Sequence, residues 1–576
     1  MTARPRRGAL VWVLPTVLLL ACSTGTGPAA SPSGASRDVP APISTRALVI
    51  ADRTEPENLA DRIPARVPGG GNTDTPRLFN AGLVLDDDKG EPRAYLAEAV
   101  PQLNTDSWRV FPDGRMETTY RLKPNLTWHD GRALSADDFV FAWRVYLLPD
   151  LGAADIPPFA QMDEVAAPDD RTVRITWRGP YPDAGQLRSA DFQALPRHIL
   201  EDDVQRDPSV TLARNLFWTT GYVGLGPFRL DRWEQGAFLD ASAFDGHVWG
   251  KPKISRITVK FMPDANAVMA SLLSGDIDFT VRVTIEVKQG VLLEPDWVAR
   301  GAGVVMMIPS YWRRAEVQHR PEYASPAAMG DVRVRRALLH AIDRDAQNFG
   351  VYEGRALFAD SMIPPSAPSF AEAERIVPKY PHDVRRAEAL MNEAGWVRGT
   401  DGVYARGTDE KFSVELRINS APESQVEVSI TGDALRRAGF DPREVLVPRA
   451  QQRIGEVRSQ FPSLYSAGGG LGEKESFPNF VSTTIPSAEN RWVGMNRGGW
   501  NSPEYDRLFA AFNTTLERSE RSRLAAQMAA NFMDQVAALS MLFYPSVVAH
   551  TSALTGPAPF VSTTLTAWNV HEWQLR

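Results

Sequence analysis

A single cysteine, at position 22, stands among 576 residues. No intramolecular disulfide can form, so the fold must rest on core packing, which a chain of this length can supply. Basic residues do not outnumber acidic ones: 63 Lys and Arg stand against 70 Asp and Glu, a net charge of −7. A chain without a basic surplus is a poor partner for nucleic acid. Beyond residue 22 no apolar run approaches the roughly 20 residues that span a bilayer. The eight histidines are scattered and show no zinc-site spacing, so no metal and no cofactor are expected. There is no Gly-x-Ser-x-Gly elbow and no His-Glu-x-x-His pair. Gly246-His247-Val248-Trp249-Gly250-Lys251 mimics a P-loop, but it has three residues between the glycines rather than four, and Pro252 where Ser or Thr is needed. The chain is therefore not expected to be an enzyme. A secreted enzyme stays as a rival class, because scattered residues can also carry catalysis.

What is present begins at the N-terminus. Arg4, Arg6 and Arg7 precede an apolar stretch over residues 9–21, broken only by Pro15 and Thr16. A positive start, a short apolar middle and a small residue before the cut make a secretory signal. Leu19-Leu20-Ala21-Cys22 resembles the lipobox of bacterial lipoproteins. The resemblance implies cleavage before Cys22 and a lipid on its sulfur, and acyl chains anchor at about 0.8 kcal/mol per buried methylene. An ordinary signal peptide with an incidental cysteine is the alternative, and Arg6-Arg7 hints at twin-arginine export. Residues 23–45 are rich in Ser, Thr, Gly, Ala and Pro. Such a segment cannot bury enough apolar surface to fold and reads as a tether with a reach of about 25 Å.

The body mixes helix and strand patterns. Residues 47–51 and 539–548 are apolar runs of the buried-strand kind. Asp86-Asp87-Asp88-Lys89-Gly90 and Asp113-Gly114 are turn signals. Residues 95–100 read as a short helical turn. Ser135, with Asp138 three positions on, caps a helix with Phe139 and Trp143 on one face. Asp264, Asp331 and Asp383 cap further helices over 264–275, 331–344 and 383–395, two of them stopped by Gly275 and Gly395. Residues 503–539 read as mostly helical. No repeat of 20–50 residues is evident. The sum is an α/β protein, and its length suggests roughly three or four domains.

Several of these stretches resemble one family in its own order. They are the segment 122–140, with Trp128-His129-Asp130-Gly131-Arg132-Ala133-Leu134-Ser135-Ala136-Asp137-Asp138 at its heart, then Gly224-Leu225-Gly226-Pro227-Phe228 and Leu272-Leu273-Ser274-Gly275-Asp276-Ile277-Asp278. The segments 331–344 and 380–396 follow. Together they resemble the large solute-binding proteins of ABC importers that handle peptides, nickel and related solutes: the bacterial extracellular solute-binding proteins, family 5. The resemblance implies a two-lobed clamshell of the periplasmic-binding-protein type with an additional inserted domain. Lobe I would combine 46–80, 215–305 and 545–576, the insert would be 81–214, and lobe III 306–544. A monomer anchored outside the cytoplasm would capture a peptide or similar solute between lobes I and III and deliver it to a membrane permease. A sensing or chaperone lipoprotein on the same fold is the alternative. His129, Asp130, Asp137 and Asp138 read as a turn and a capped first helical turn rather than a metal cluster.

The resemblance also nominates ligand contacts. Relatives that bind peptides carry, in lobe III, an aspartate that pairs with the peptide amino terminus. The matching stretch here has no aspartate; a glycine run, Gly468-Gly469-Gly470, precedes Glu473 and Glu475, and these acids would meet an ammonium or form a solvated loop. Tyr311 and Trp312 follow a strand near the lobe I–III crossover, where aromatic faces stack ligands or hold cations. Asn496, Arg497 and Trp500, then Trp218 and Tyr222, and finally Glu55 and Asn58 after the first strand, complete the candidates. For each the alternative is plain packing.

Overall fold

The computed structural model describes residues 46–62, 74–148, 153–206, 211–212, 214–407, 410–421, 423–561 and 564–576. The signal segment, Cys22 and almost all of the tether lie outside the described residues. One large mixed sheet organises the body. Its strands are β1 (Leu48–Asp52), β2 (Phe228–Glu234), β3 (Phe238–Ala243), β4 (Arg256–Phe261), β5 (Phe279–Thr280) and β6 (Gly303–Val317). They continue with β7 (Leu357–Phe358), β8 (Ser413–Asn419), β9 (Asp441–Val447), β10 (Leu464–Gly470) and β11 (Ala538–Thr551). The order across the sheet is β9-β8-β10-β6-β11-β5-β1-β4-β3-β2, with β7 beside β11. A separate four-stranded sheet pairs Trp108–Val110, Met116–Arg121, Thr172–Trp177 and Met162–Asp169 in that order.

Local sequence explains many of the elements. Ala47 to Ala51 is apolar and β1 is buried between β4 and β5, both parallel to it. Asp113-Gly114 turns the hairpin between Trp108–Val110 and Met116–Arg121, with Gly114 at φ 85°. The Asp264 carboxylate accepts from Ala267 N–H, Asp331 from Arg333 N–H and Asp383 from Arg386 N–H, so each caps its helix. Ser135 N–H donates to Asp138 Oδ2 at 3.0 Å, the return half of a capping box at the helix Ala136–Tyr146.

Three local expectations need correction. Residues 95–100 form no helical turn; Tyr95, Leu96 and Ala97 give their N–H groups to the carbonyls of Leu83 and Gly82. The helix from Asp331 stops at Ala341, and Asp343 caps a second one, Arg344–Tyr352. The segment 503–539 is mostly helical, as expected, in two helices, Pro503–Thr514 and Arg518–Asp534, with β11 starting at Ala538. The glycine run is the end of β10, antiparallel to β6, not a loose loop. Its glycines make room: a Cβ on Gly468 would stand 3.0 Å from Tyr544 Oη, and one on Gly469 2.7 Å from Arg314 Nη1.

Two long strands join two hydrophobic cores. One core takes Met306 and Ile308 of β6 and Val548 of β11. The other takes β6 from Trp312 and β11 up to Phe543. Between them Pro309 faces Pro545, and the register slips before Tyr311 meets Tyr544. Proline offers no N–H to a ladder, and an unpaired residue bends a strand. The protein is thus an α/β, two-lobed structure, and β6 and β11 run from one core to the other through a step where two prolines face each other.

Candidate functional site

Distant parts of the chain converge on a cavity of about 390 Å³. The turn after Val84–Asp86 supplies Asp86, Lys89 and Glu91. The 3₁₀ turn Pro182–Gly185 supplies Asp183, and Arg188 follows it. Gly472, at φ 135°, opens the short helix Glu473–Ser476, which supplies Glu473, Lys474 and Glu475. The helix Arg518–Asp534 brings Arg518 and Arg521.

The lining carries five acidic and five basic side chains, and most of them are committed to one another. Arg188 Nη1 meets Asp86 Oδ2 at 2.9 Å, and its Nε meets Asp191 at 2.8 Å. Asp183 Oδ1 receives Arg521 Nη1 at 2.9 Å and Lys474 Nζ at 3.3 Å. Arg518 reaches Glu91 at 3.3 Å. Ser369 Oγ donates to Glu473. Among the described residues neither Glu475 nor Lys89 forms a salt bridge; the Glu475 carboxylate accepts from its own backbone N–H, with the Arg188 and Lys474 cations nearby, and both side chains are exposed. Loss of water within the cavity walls raises the Glu473 and Glu475 carboxyls above their ordinary values, against the pull of neighbouring cations. Burial would raise Asp183 too, but Lys474 and Arg521 overcome it and hold that carboxyl low.

A second polar cluster sits at the crossover. Buried Asp74 accepts from Arg282 Nη2 at 3.0 Å and from Thr566 N–H at 3.0 Å. Asp52, at the end of β1, accepts from Thr75 Oγ1 at 2.7 Å, and burial with some help from Asp74 pushes its carboxyl up to about 6. Tyr311 stacks on Tyr544 at 5.2 Å between ring centroids, and Tyr544 stacks on Tyr352 at 5.1 Å.

Of the residues nominated from sequence, Glu473 and Glu475 line the cavity and Tyr311 stands at the crossover. The others are placed differently. Trp312 is fully buried, with Nε1 donating to Ser540 Oγ at 2.9 Å. Trp218 donates to Leu212 O, and Tyr222 hydrogen-bonds Gln193 and Asn80 inside the first core. Asn496 bonds the carbonyls of Phe480, Val481 and Trp500, while Trp500 Nε1 donates to Gln535. Arg497 is buried 4.0 Å from Glu316. Glu55 accepts from Trp233 Nε1 and Gly236 N–H, tying the first loop to the β2–β3 hairpin, and Asn58 closes a turn on Ala60 N–H. Asp183, Arg188 and Arg521 were not singled out; Asp183 and Arg521 lie 338 positions apart, and no local pattern joins them. No helix among the described residues is long and apolar enough to cross a membrane.

The profile of the bacterial extracellular solute-binding proteins, family 5 (middle region), matches residues 98–484. The oligopeptide-binding protein AppA of Bacillus subtilis is 24% identical over 550 residues, 94% of each chain. NikZ from Campylobacter jejuni, solved in complex with Ni(L-His), superimposes with a TM-score of 0.72 at 21% identity, covering 92% of this chain and 99% of its own. AppA from Bacillus subtilis, solved with a nonapeptide, gives a TM-score of 0.69 at 22% identity over 92% and 99%. The profile takes in the four-stranded sheet, the crossover strand β6 and the Glu473–Ser476 wall of the cavity in one continuous match, and with it the chain belongs to family 5 of the bacterial extracellular solute-binding proteins, which are binding proteins and not enzymes.

Proposed function

We propose that this chain is the lipid-anchored, extracytoplasmic receptor of an ABC importer and that it captures a short peptide or a similar zwitterionic solute. The observation that carries the reading is a pair of cavity charges with no side-chain partner of opposite sign within salt-bridge distance. Eight of the ten charged side chains are tied to another side chain, whereas Lys89 is not and Glu475 is held only by its own backbone N–H. An ammonium on the solute would satisfy the first and a carboxylate the second. A volume of about 390 Å³ lies in the range of small-ligand sites, about 300–1,000 Å³. The names of the relatives support the same class: one is called an oligopeptide-binding protein and another a dipeptide-binding protein.

In this reading, the lobes carry the boundaries expected from the family, with 81–214 inserted into lobe I and 306–544 forming lobe III. Solute bridging both walls favours the closed arrangement by its differential affinity for it, and bending concentrates at the Pro309/Pro545 step. The closed form docks on the permease. Cys22 holds the receptor near that permease and raises its local concentration there.

Native mass spectrometry of protein purified without refolding tests the solute class. Peptides in the bound fraction are the expected result; neutral sugars alone overturn it. Replacing Cys22→Ser tests the anchor: the protein should leave the membrane fraction with solute binding intact, and retention in the membrane would refute the lipid assignment.

A further inference from the structure

The wall formed by Pro182–Gly185 does more than line the cavity. Asp183 is firmly mounted. Tyr120 Oη donates to Ala184 O at 2.5 Å, Tyr181 stacks on Trp177 at 4.8 Å, and Gly185 lies against the Trp108 ring so closely that a Cβ would come within 2.9 Å of it. Its counterpart is mounted as well: the Arg521 guanidinium lies 4.2 Å from the centre of the Phe512 ring. Their side chains are 12% and 16% exposed in contact; on separation both charges return to solvent, where dissolved ions screen them. Lys474 adds a second cation to the same carboxylate, and Arg518 to Glu91 repeats the pairing further out. On one side every partner comes from residues 86–191; on the other every partner comes from residues 473–521.

We propose that Asp183, clasped by Arg521 and Lys474, is an ion-pair latch that favours the closed arrangement over the cavity by an amount that does not depend on the solute. The inference rests on the receptor reading in one respect, that the two sides separate for solute to enter. The latch makes the closed state sensitive to salt, and it lets the protein visit that state unloaded.

The test uses single-molecule energy transfer on the full chain carrying Cys22→Ser, with dyes on cysteines introduced at exposed Asp106 and Glu504. The parent should show a population that shifts toward lower transfer as salt rises. Asp183→Asn and Arg521→Met should each raise the open-to-closed ratio about fivefold at low salt, the factor expected of one ion pair, and should weaken the salt response. Urea unfolding of both variants shows that they remain folded. Populations that fail to shift, or that shift in only one variant, overturn the latch. Absence of bound solute in the parent by native mass spectrometry would instead sink the receptor reading, while the salt-dependent shift would still stand for the latch.

Discussion

Gly226→Ala should destabilise the protein severely, and the structure says why. A Cβ at position 226 would lie 2.3 Å from the Phe79 carbonyl carbon, 2.4 Å from Asn80 N and 2.8 Å from Leu78 O. All three are backbone atoms, so no rotamer change relieves the clash. The segment must move by about an ångström, and overpacking of this kind alone costs about 1–3 kcal/mol. Movement also breaks what the turn holds. Gly226 N–H and Leu225 N–H both donate to Phe79 O, at 2.8 and 3.1 Å. Gly224 N–H donates to His129 Nδ1 at 3.1 Å, so the ring proton sits on Nε2, which donates to Gly226 O at 3.1 Å. Four bonds at about 1 kcal/mol each bring the expected loss to about 5–7 kcal/mol, a large share of the roughly 5–15 kcal/mol a protein has. Gly236→Ala is the control: its φ is 77° and nothing lies near its Cβ position, so it should cost only about 1 kcal/mol. Urea unfolding followed by tryptophan fluorescence measures both. A Gly226→Ala midpoint equal to or above that of Gly236→Ala would refute the steric account.

Three further outcomes are expected. Glu475→Gln should weaken binding of the co-purified solute about tenfold to a hundredfold, the worth of a charge-assisted hydrogen bond, in titration calorimetry; unchanged affinity would remove Glu475 from the site. Glu427→Ala strands the buried Arg313 guanidinium, which Glu427 holds at 2.8 and 2.6 Å, and should cost about 3–5 kcal/mol, whereas Arg313→Met with Glu427→Leu should recover most of it in the same urea assay. Burial lowers His129 to about 4, so the unfolded chain takes protons that the folded one refuses: the contribution is full above about 6.5 and falls as pH drops through that window toward 4. His129→Gln should therefore remove about 2 kcal/mol of the stability lost between about pH 7 and pH 5, measured as the difference between the two unfolding profiles; parallel profiles would contradict it.

Caps and turns were legible because their chemistry is local. Asp264, Asp331 and Asp383 each announce a helix by a side chain that reaches the next turn's N–H groups. Asp113-Gly114 fixed a hairpin in the same way. The segment 95–100 misled because its apolar spacing suits a helix, while its N–H groups are claimed by residues 82–83 across a tertiary contact. Gly468-Gly469-Gly470 misled because glycine usually signals freedom; here Gly468 and Gly469 signal crowding by Tyr544 and Arg314. Aromatic residues near the crossover suggested ligand stacking, yet Trp312 faces Phe480 and Phe532 in the core. Glu473 and Glu475 could be found from the family's pattern, but Asp183, Arg188 and Arg521 gain their meaning only from partners brought together by the fold.

The distribution of stiffness explains how such a cavity could open. Immediately beyond the Pro309/Pro545 step, the Tyr352–Tyr544–Tyr311 stack and the Arg313–Glu427 pair brace one side. Asp74 with Arg282 and Thr566, and Asp52 with Thr75, brace the other. In the proposed reading bending falls on the step itself, where two facing prolines offer no N–H to the ladder and the register slips. Opposing it are the ion pairs of Asp183 and Glu91, each worth about 1 kcal/mol or less. Moving a two-state equilibrium from one extreme to the other takes about 5.5 kcal/mol. The latch supplies only part of that, so closure stays near balance, and a solute touching both Glu475 and Lys89 decides it.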